Sequence, residues 1–156
     1  MKLVIIRRGT EKDAPIIDKL VAEWLKWEIP RENSINRAIE NNELLVAEWQ
    51  GEVIGFIHYA MHEDIIDGGM NAFITAFYVV PRFRNKRIGS RLLKGAIQSA
   101  LEKGAVGISA STANPDARRL YERHDFKQFM GEWIMGEVFL ELDIEKYKQK
   151  RKRGFT

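Results

Sequence analysis

The chain has 156 residues, 25 basic against 22 acidic side chains, and 45% apolar residues, so its formal net charge is +3. That is the composition of a single globular domain with one core. There is no cysteine, which excludes a disulfide framework, a thiolate nucleophile and a zinc–thiolate centre, and no apolar run approaches the roughly twenty residues that a membrane-crossing helix needs.

Met1–Arg8 becomes charged too early for a signal peptide and reads as a first strand, with the cytoplasm as the default location. Thr10-Glu11-Lys12-Asp13 has the form of a capping box with Asp in the acidic position. Ile16, Ile17, Leu20, Val21 and Trp24 then recur at helical spacing, so a helix is expected to about Lys26. Pro30 interrupts, and a short second helix is expected near Ser34–Asn41. Leu44–Trp49 and Val53–Met61, joined by Gln50-Gly51-Glu52, read as a hairpin, and Gly68-Gly69 marks a loop.

Met70–Val80 carries no charge, which fits a strand buried on both faces. A helix is expected over Ile88–Lys103, with Ile88, Leu92, Ile97 and Leu101 inward and Gly104 ending it. Val106–Ser111 reads as a strand, Asp116–Arg123 as a helix, and Gly136–Ile144 as a last strand with Phe126–Met130 as its partner. This order predicts an α/β domain, a mixed sheet of about six to seven strands flanked by about four helices. Six basic residues and no acidic one lie in 146–156, leaving 19 basic against 22 acidic elsewhere. We therefore expect a domain over 1–145 and a basic tail over 146–156. Such a tail can bind nucleic acid, although a solvated fringe is the simpler reading.

The uncharged run ends at Val79-Val80-Pro81, four basic residues follow within six positions, and a helix opens near Gly89. Cationic side chains and amides that lack intrahelical partners suit a phosphorylated ligand. Downstream stand Asn114, Ala117, Leu120, Tyr121 and Phe126, in the pattern N-x-x-A-x-x-L-Y-x-x-x-x-F. With both blocks in order, the chain resembles the GNAT superfamily of acetyl-CoA-dependent N-acyltransferases over about Leu3 to Leu142. The resemblance implies that family's fold, in which the central strands splay to admit the pantetheine arm. The family's loop, [Q/R]-x-x-G-x-[G/A], reads Arg84-Asn85-Lys86-Arg87-Ile88-Gly89 here, so Arg87 replaces the first glycine. A guanidinium there can reach phosphate itself.

The resemblance implies acetyl-CoA as co-substrate and transfer of its acetyl group to a primary amine, by direct attack in a ternary complex. It assigns the diphosphate to Arg84, Asn85, Lys86, Arg87, Ile88, Gly89 and Ser90. Main-chain contacts with the pantetheine arm and the thioester carbonyl fall to Phe77, Tyr78 and Val79, and an amide contact to Asn114. Tyr121 matches the family's general acid. A phenol with a pKa near 10 stays protonated at neutral pH and can serve a thiolate leaving group; its plain structural reading is a tyrosine packed on the core.

No carboxylate stands on Val106-Gly107-Ile108-Ser109-Ala110-Ser111 to act as base. A water relay is expected instead, held by Glu28, Glu63, Asp64 or Glu132. Glu28, Glu32, His62, Glu63, Asp64, Asp67 and Glu132, with Trp24, Trp27 and Trp133, suit a cationic acceptor, or are solvated charge over core tryptophans. His62 with its acidic neighbours lacks metal-ligand spacing, and no metal is expected. His58 and His124 read as structural. Two rivals remain: a non-catalytic acyl-CoA-binding module, and a nucleic-acid-associated protein using the tail and Arg82–Arg91. The acceptor is a small-molecule or protein amine, the acyl-chain preference is open, and homodimers are common in the resembled family.

Overall fold

The computed structural model describes residues 3–66, 68–129 and 137–153. Asp67, Glu132, Trp133 and the ends of the two last expected strands, Met130 and Gly136, lie outside the described residues. Among the described residues seven strands and five α-helices follow one another: β1 (Val4–Arg8), α1 (Ala14–Leu25), α2 (Glu32–Glu40), β2 (Leu44–Trp49), β3 (Glu52–Asp64), β4 (Gly69–Val79), α3 (Ile88–Glu102), β5 (Ala105–Thr112), α4 (Pro115–Arg123), β6 (Phe126–Gln128), β7 (Val138–Leu142) and α5 (Ile144–Lys152). The strands form a mixed sheet, as expected for the resembled fold, and its hydrogen-bonded order is β1-β2-β3-β4-β5-β7-β6. Two compact units divide the chain: Met1–Ala60 with Thr75–Ser99, and Met61–Ile74 with Ala100–Thr156.

In the first unit the acid of the capping box is buried. Asp13 accepts from the Thr10 amide at 2.7 Å and from two Arg7 nitrogens at 2.7 and 2.9 Å. Burial pushes this carboxyl up, but the hydrogen bonds and charge of Arg7 and Thr10 outweigh it and hold it below its usual value. Helix α1 stops at Leu25 because Lys26 turns left-handed at φ 55°. Between β2 and β3, Gln50 and Gly51 both have positive φ, 49° and 79°, as a tight hairpin turn requires. Ile17, Ala38, Leu44, Val46, Val53 and Phe56 form the core against α1 and α2. Each fully buried large side chain contributes about 1.5–3 kcal/mol. Helix α3 covers the opposite face, where Gly95 allows close approach: a Cβ there would stand 2.9 Å from Leu45 Cδ1.

Helix α3 buries Ile88, Leu92, Leu93, Ala96, Ile97 and Ala100. Leu101, expected inward, is half-buried; Ala100 takes the inner position, and Gly104, at φ 88°, closes the helix end.

In the second unit β4 pairs in parallel with β5 from Met70↔Ala105 to Ile74↔Ala110, and β5, β7 and β6 continue antiparallel. The expectation that β4 is buried on both faces is corrected. Ala72 and Ile74 are buried, whereas Asn71 and Phe73 are half-exposed. One face is thus packed and the other half-open, and apolar contacts such as Phe73 on Phe139, with centroids 6.2 Å apart, leave the open face uncharged too. The basic tail is helical over its described part: Ile144–Lys152 forms α5, on which Lys146, Lys148, Arg151 and Lys152 are exposed. Asp143 caps it, accepting from the Lys146 amide at 3.1 Å. Tyr147 is buried. The buried Asp125 carboxylate accepts from Lys150 at 2.8 Å and lies 3.5 Å from Lys146. Lysines four residues apart share a helix face, so one carboxylate draws both to the body of the unit.

Candidate active site

The loop Val80–Ile88 is built from strand exit, proline and helix start. The Val80 amide donates to Ile54 O at 2.9 Å, a single 3-10 turn spans Pro81–Phe83, and Phe83 is buried beneath it. The backbone then alternates. Asn85 and Arg87 lie at φ 61° and 66°, with Lys86 between them outside the positive-φ set. Alternating left-handed residues turn successive amides toward one side, the geometry of an anion-binding nest. The first i→i−4 bond of α3 runs from the Arg91 amide to Arg87 O at 3.1 Å, so the Ile88 and Gly89 amides precede it at the positive end of the helix dipole. Arg84, Asn85, Lys86 and Arg87 are exposed, whereas the Ile88 side chain is buried and offers only its amide.

The φ of Arg87 shows why the resembled family places glycine here. A left-handed turn costs a non-glycine residue about 1–2 kcal/mol. The chain accepts that conformation with an arginine in it, so the backbone shape is kept and a cation is added. The donor set therefore fits a diphosphate.

On β4, Phe77, Tyr78 and Val79 are half-buried. The Tyr78 ring is enclosed by Trp24, stacked at 5.1 Å, by Phe56 at 6.2 Å and by the Arg84 guanidinium at 5.3 Å. Arg84 also donates from Nε to the Val79 carbonyl at 2.8 Å. It therefore braces the strand exit as well as adding charge. Gly55 admits this main chain, since a Cβ there would lie 2.9 Å from Tyr78 O.

In the second unit Asn114 is the N-cap of α4. Its Oδ1 accepts from the Asp116 amide at 2.8 Å and the Ala117 amide at 3.4 Å, while its own amide donates to Thr112 Oγ1 at 3.0 Å. The cap fixes the helix that carries Tyr121. That tyrosine is 4% exposed and its ring meets Phe126 at 5.1 Å. Burial pushes its phenol well above the ordinary value, so it holds its proton throughout the neutral range.

The residues expected on the acceptor side are uneven. Glu28, Glu32, His62 and Glu63 are exposed, and Asp64 accepts from the Ile66 amide at 2.8 Å within its own turn. Trp27 is 61% exposed, but Arg31 places its guanidinium 5.9 Å from that ring and donates to Trp27 O at 2.7 Å. A cation of the chain itself thus stands over this tryptophan. Among the described residues no three His, Asp or Glu side chains group to hold a metal. His58 bonds Thr75 Oγ1 through Nδ1; burial lowers its pKa, and it is neutral at pH 7.

One carboxylate escaped the sequence reading. Glu137 Oε1 accepts from Ser111 Oγ at 3.2 Å. The two are 26 residues apart, and only the pairing of β5 with β7 brings them together.

A family model described as the acetyltransferase (GNAT) family matches residues 14–126. Aminoalkylphosphonate N-acetyltransferase of Salmonella typhimurium is 29% identical over 135 residues, covering 82% of this chain and 88% of that protein. Spermine/spermidine N(1)-acetyltransferase of Bacillus subtilis is 29% identical over 89 residues, covering 54% and 58%. Among solved structures, the PaiA N-acetyltransferase of Thermoplasma acidophilum in complex with coenzyme A superposes with a TM-score of 0.67 at 21% identity, covering 89% and 98%.

Proposed function

The chain belongs to the GNAT acetyltransferase family and is an acetyl-CoA-dependent N-acetyltransferase; from that premise we propose that it acetylates a primary amine by direct attack, with no covalent enzyme intermediate. The observation that carries this reading is the left-handed Asn85–Arg87 turn opening α3. Acetyl-CoA, when bound, supplies an acetyl group activated as a thioester. Arg84, Lys86 and Arg87 supply charge to its diphosphate, and the amides of Asn85, Ile88, Gly89 and Ser90 supply directed donors. Main-chain groups of Phe77, Tyr78 and Val79 offer contacts to the pantetheine arm, and Asn114 offers an amide contact to the cofactor. Tyr121 holds a proton at Oη for the departing sulfur, a role that its raised pKa supports.

The acceptor is a small-molecule amine or a peptide amino terminus. Relatives named for aminoalkylphosphonate and for spermine and spermidine support the first class. A screen of acetyl-CoA consumption against an aminoalkylphosphonate, spermidine and a peptide amino terminus, with products identified by mass, tests the proposal. An acetylated amine at turnover well above thioester hydrolysis is expected. Tight CoA binding with no product from any amine would instead mark a non-catalytic acyl-CoA-binding module.

A further inference from the structure

The family chemistry needs a group that takes a proton from the attacking amine, and β5 offers no carboxylate. The pairing of the second unit supplies one from the neighbouring strand. Val138, Leu140 and Leu142 point to the buried side of β7, so Phe139 and Glu141 point to the other. Ser111 stands opposite Phe139 and Ser109 opposite Glu141. Glu137, two residues before Phe139, is thus the diagonal neighbour of Ser111 on that same face.

The face is half-open. Ser109, Ser111, Glu137 and Phe139 are each partly accessible. Its walls are aromatic: Phe73 lies 6.2 Å from Phe139, and Phe129 meets Phe139 edge-on at 5.9 Å. Ser111 is also near the C-terminal end of β5, the end at which parallel strands present ligand-binding residues. Three residues on stands Asn114, and then the helix that carries Tyr121.

We propose that Ser111 and Glu137 form the proton relay for the acceptor amine, with Glu137 as the terminal proton acceptor. The inference rests on the acetyltransferase reading above. Ser111 Oγ donates its hydrogen bond to Glu137 Oε1, which leaves the oxygen's lone pairs as acceptors for an ammonium N–H. As one ammonium proton passes to Ser111 Oγ, the serine proton passes to Glu137, and the amine becomes neutral. Its nitrogen then forms the C–N bond as the C–S bond breaks. The second nitrogen proton neutralises the thiolate by way of Tyr121, and Glu137 returns its proton to solvent. Two protons leave the ammonium, one to water and one to sulfur. A hydroxyl alone is too weak a base for this task, and a carboxylate behind it supplies the driving force. The aromatic walls favour an approaching cation.

The charged side chains next to this pair on the same face of β7 and β6 include Glu141 and, opposite it, Lys127, which pairs with Asp143 at 3.6 Å. The test uses the full chain with acetyl-CoA and whichever panel amine gives the highest turnover. Glu137→Gln and Ser111→Ala are each expected to lower kcat at saturating amine about 10²-fold. Their pH–rate profiles should shift so that turnover needs more alkaline solution, where the amine loses its proton unaided. The double variant should be no slower than the worse single one, because both break one chain. Glu137→Asp should recover part of the rate, and Glu141→Gln, which removes a charge from the same face, should leave it within about twofold. Melting temperature and CoA affinity measured on every variant separate lost chemistry from lost fold. Unchanged kcat and pH profile in a folded Glu137→Gln protein would overturn the relay, as would additive losses in the double variant. If the unmodified chain bound CoA and acetylated no amine, the acetyltransferase reading would fail first and take the relay with it.

Discussion

The loop and helix start Val80–Ser90, proposed to hold the diphosphate, and the strand group β5–β7 bring their groups together by opposite routes. In the loop every such group comes from one short consecutive stretch, and the information is local: a proline, a left-handed turn and a helix start. In the strand group the hydroxyl and the carboxylate lie 26 residues apart and meet only through β-sheet register. The loop should therefore tolerate side-chain changes that preserve its backbone, while the strand group should be sensitive to single atoms. A local turn presents several parallel amides, so losing one contact leaves the others. A relay is a series arrangement, and one break stops it.

Three substitutions sharpen or break that contrast. The largest effect is expected from Tyr121→Phe: kcat falls about 10²-fold or more, while calorimetry with CoA shows unchanged affinity. Full turnover would remove tyrosine from the chemistry and reduce it to its packing on Phe126. The same variant has a pH signature. Burial raises the folded-state pKa of this phenol above its unfolded value of about 10. Above that pH the unfolded chain has given up a proton that the folded one keeps. Stability is thus fully present below about pH 10 and declines as pH rises further, and Tyr121→Phe should decline less steeply in melts between pH 9 and 11.

Next in size is Gly55→Ala. Its Cβ would stand 2.9 Å from Tyr78 O and 3.3 Å from Val79 Cγ2, and backbone cannot yield as a flexible side chain does. A loss of about 1–3 kcal/mol is expected, seen as a lower melting temperature. KM for acetyl-CoA should rise with little change in kcat, because the shifted main chain is the one proposed to hold the pantetheine arm. An unaltered KM in a destabilised protein would detach that strand from cofactor binding.

The smallest effect should come from Arg87→Gly. Relief of the left-handed strain, about 1–2 kcal/mol, is offset by the roughly 0.5–1 kcal/mol entropic cost of glycine, so stability rises by no more than about 1.5 kcal/mol. CoA affinity should fall several-fold with a shallower salt dependence, since one charge–phosphate contact goes. Equal affinity at every salt concentration would mean that the amides alone hold the phosphates.

The elements that the sequence made legible are those with local signatures. Thr10 and Asp13 announced a helix start, Gln50-Gly51 a hairpin and Gly104 a helix end; in each case the side chain or the φ angle acts on its own neighbours. What the sequence left open shares the opposite property. The absence of charge in β4 does not say how many faces are covered. The run of lysines after Glu145 does not say that Lys146 and Lys150 reach Asp125. Nor does Trp27 announce that Arg31 of its own chain stands over its ring.

What the amino-acid order determined by itself was the succession of elements as far as β7 and the basic turn proposed to hold phosphate, because backbone preference, capping and helix dipoles act within a few residues. What only the tertiary structure decided was which carboxylate faces β5. Strand pairing selects partners by register, and a shift of one residue would send Glu137 to the other side of the sheet. Asp125 and its lysines follow the same rule: charges distant in the chain become one interaction only after the strands and helices between them have packed.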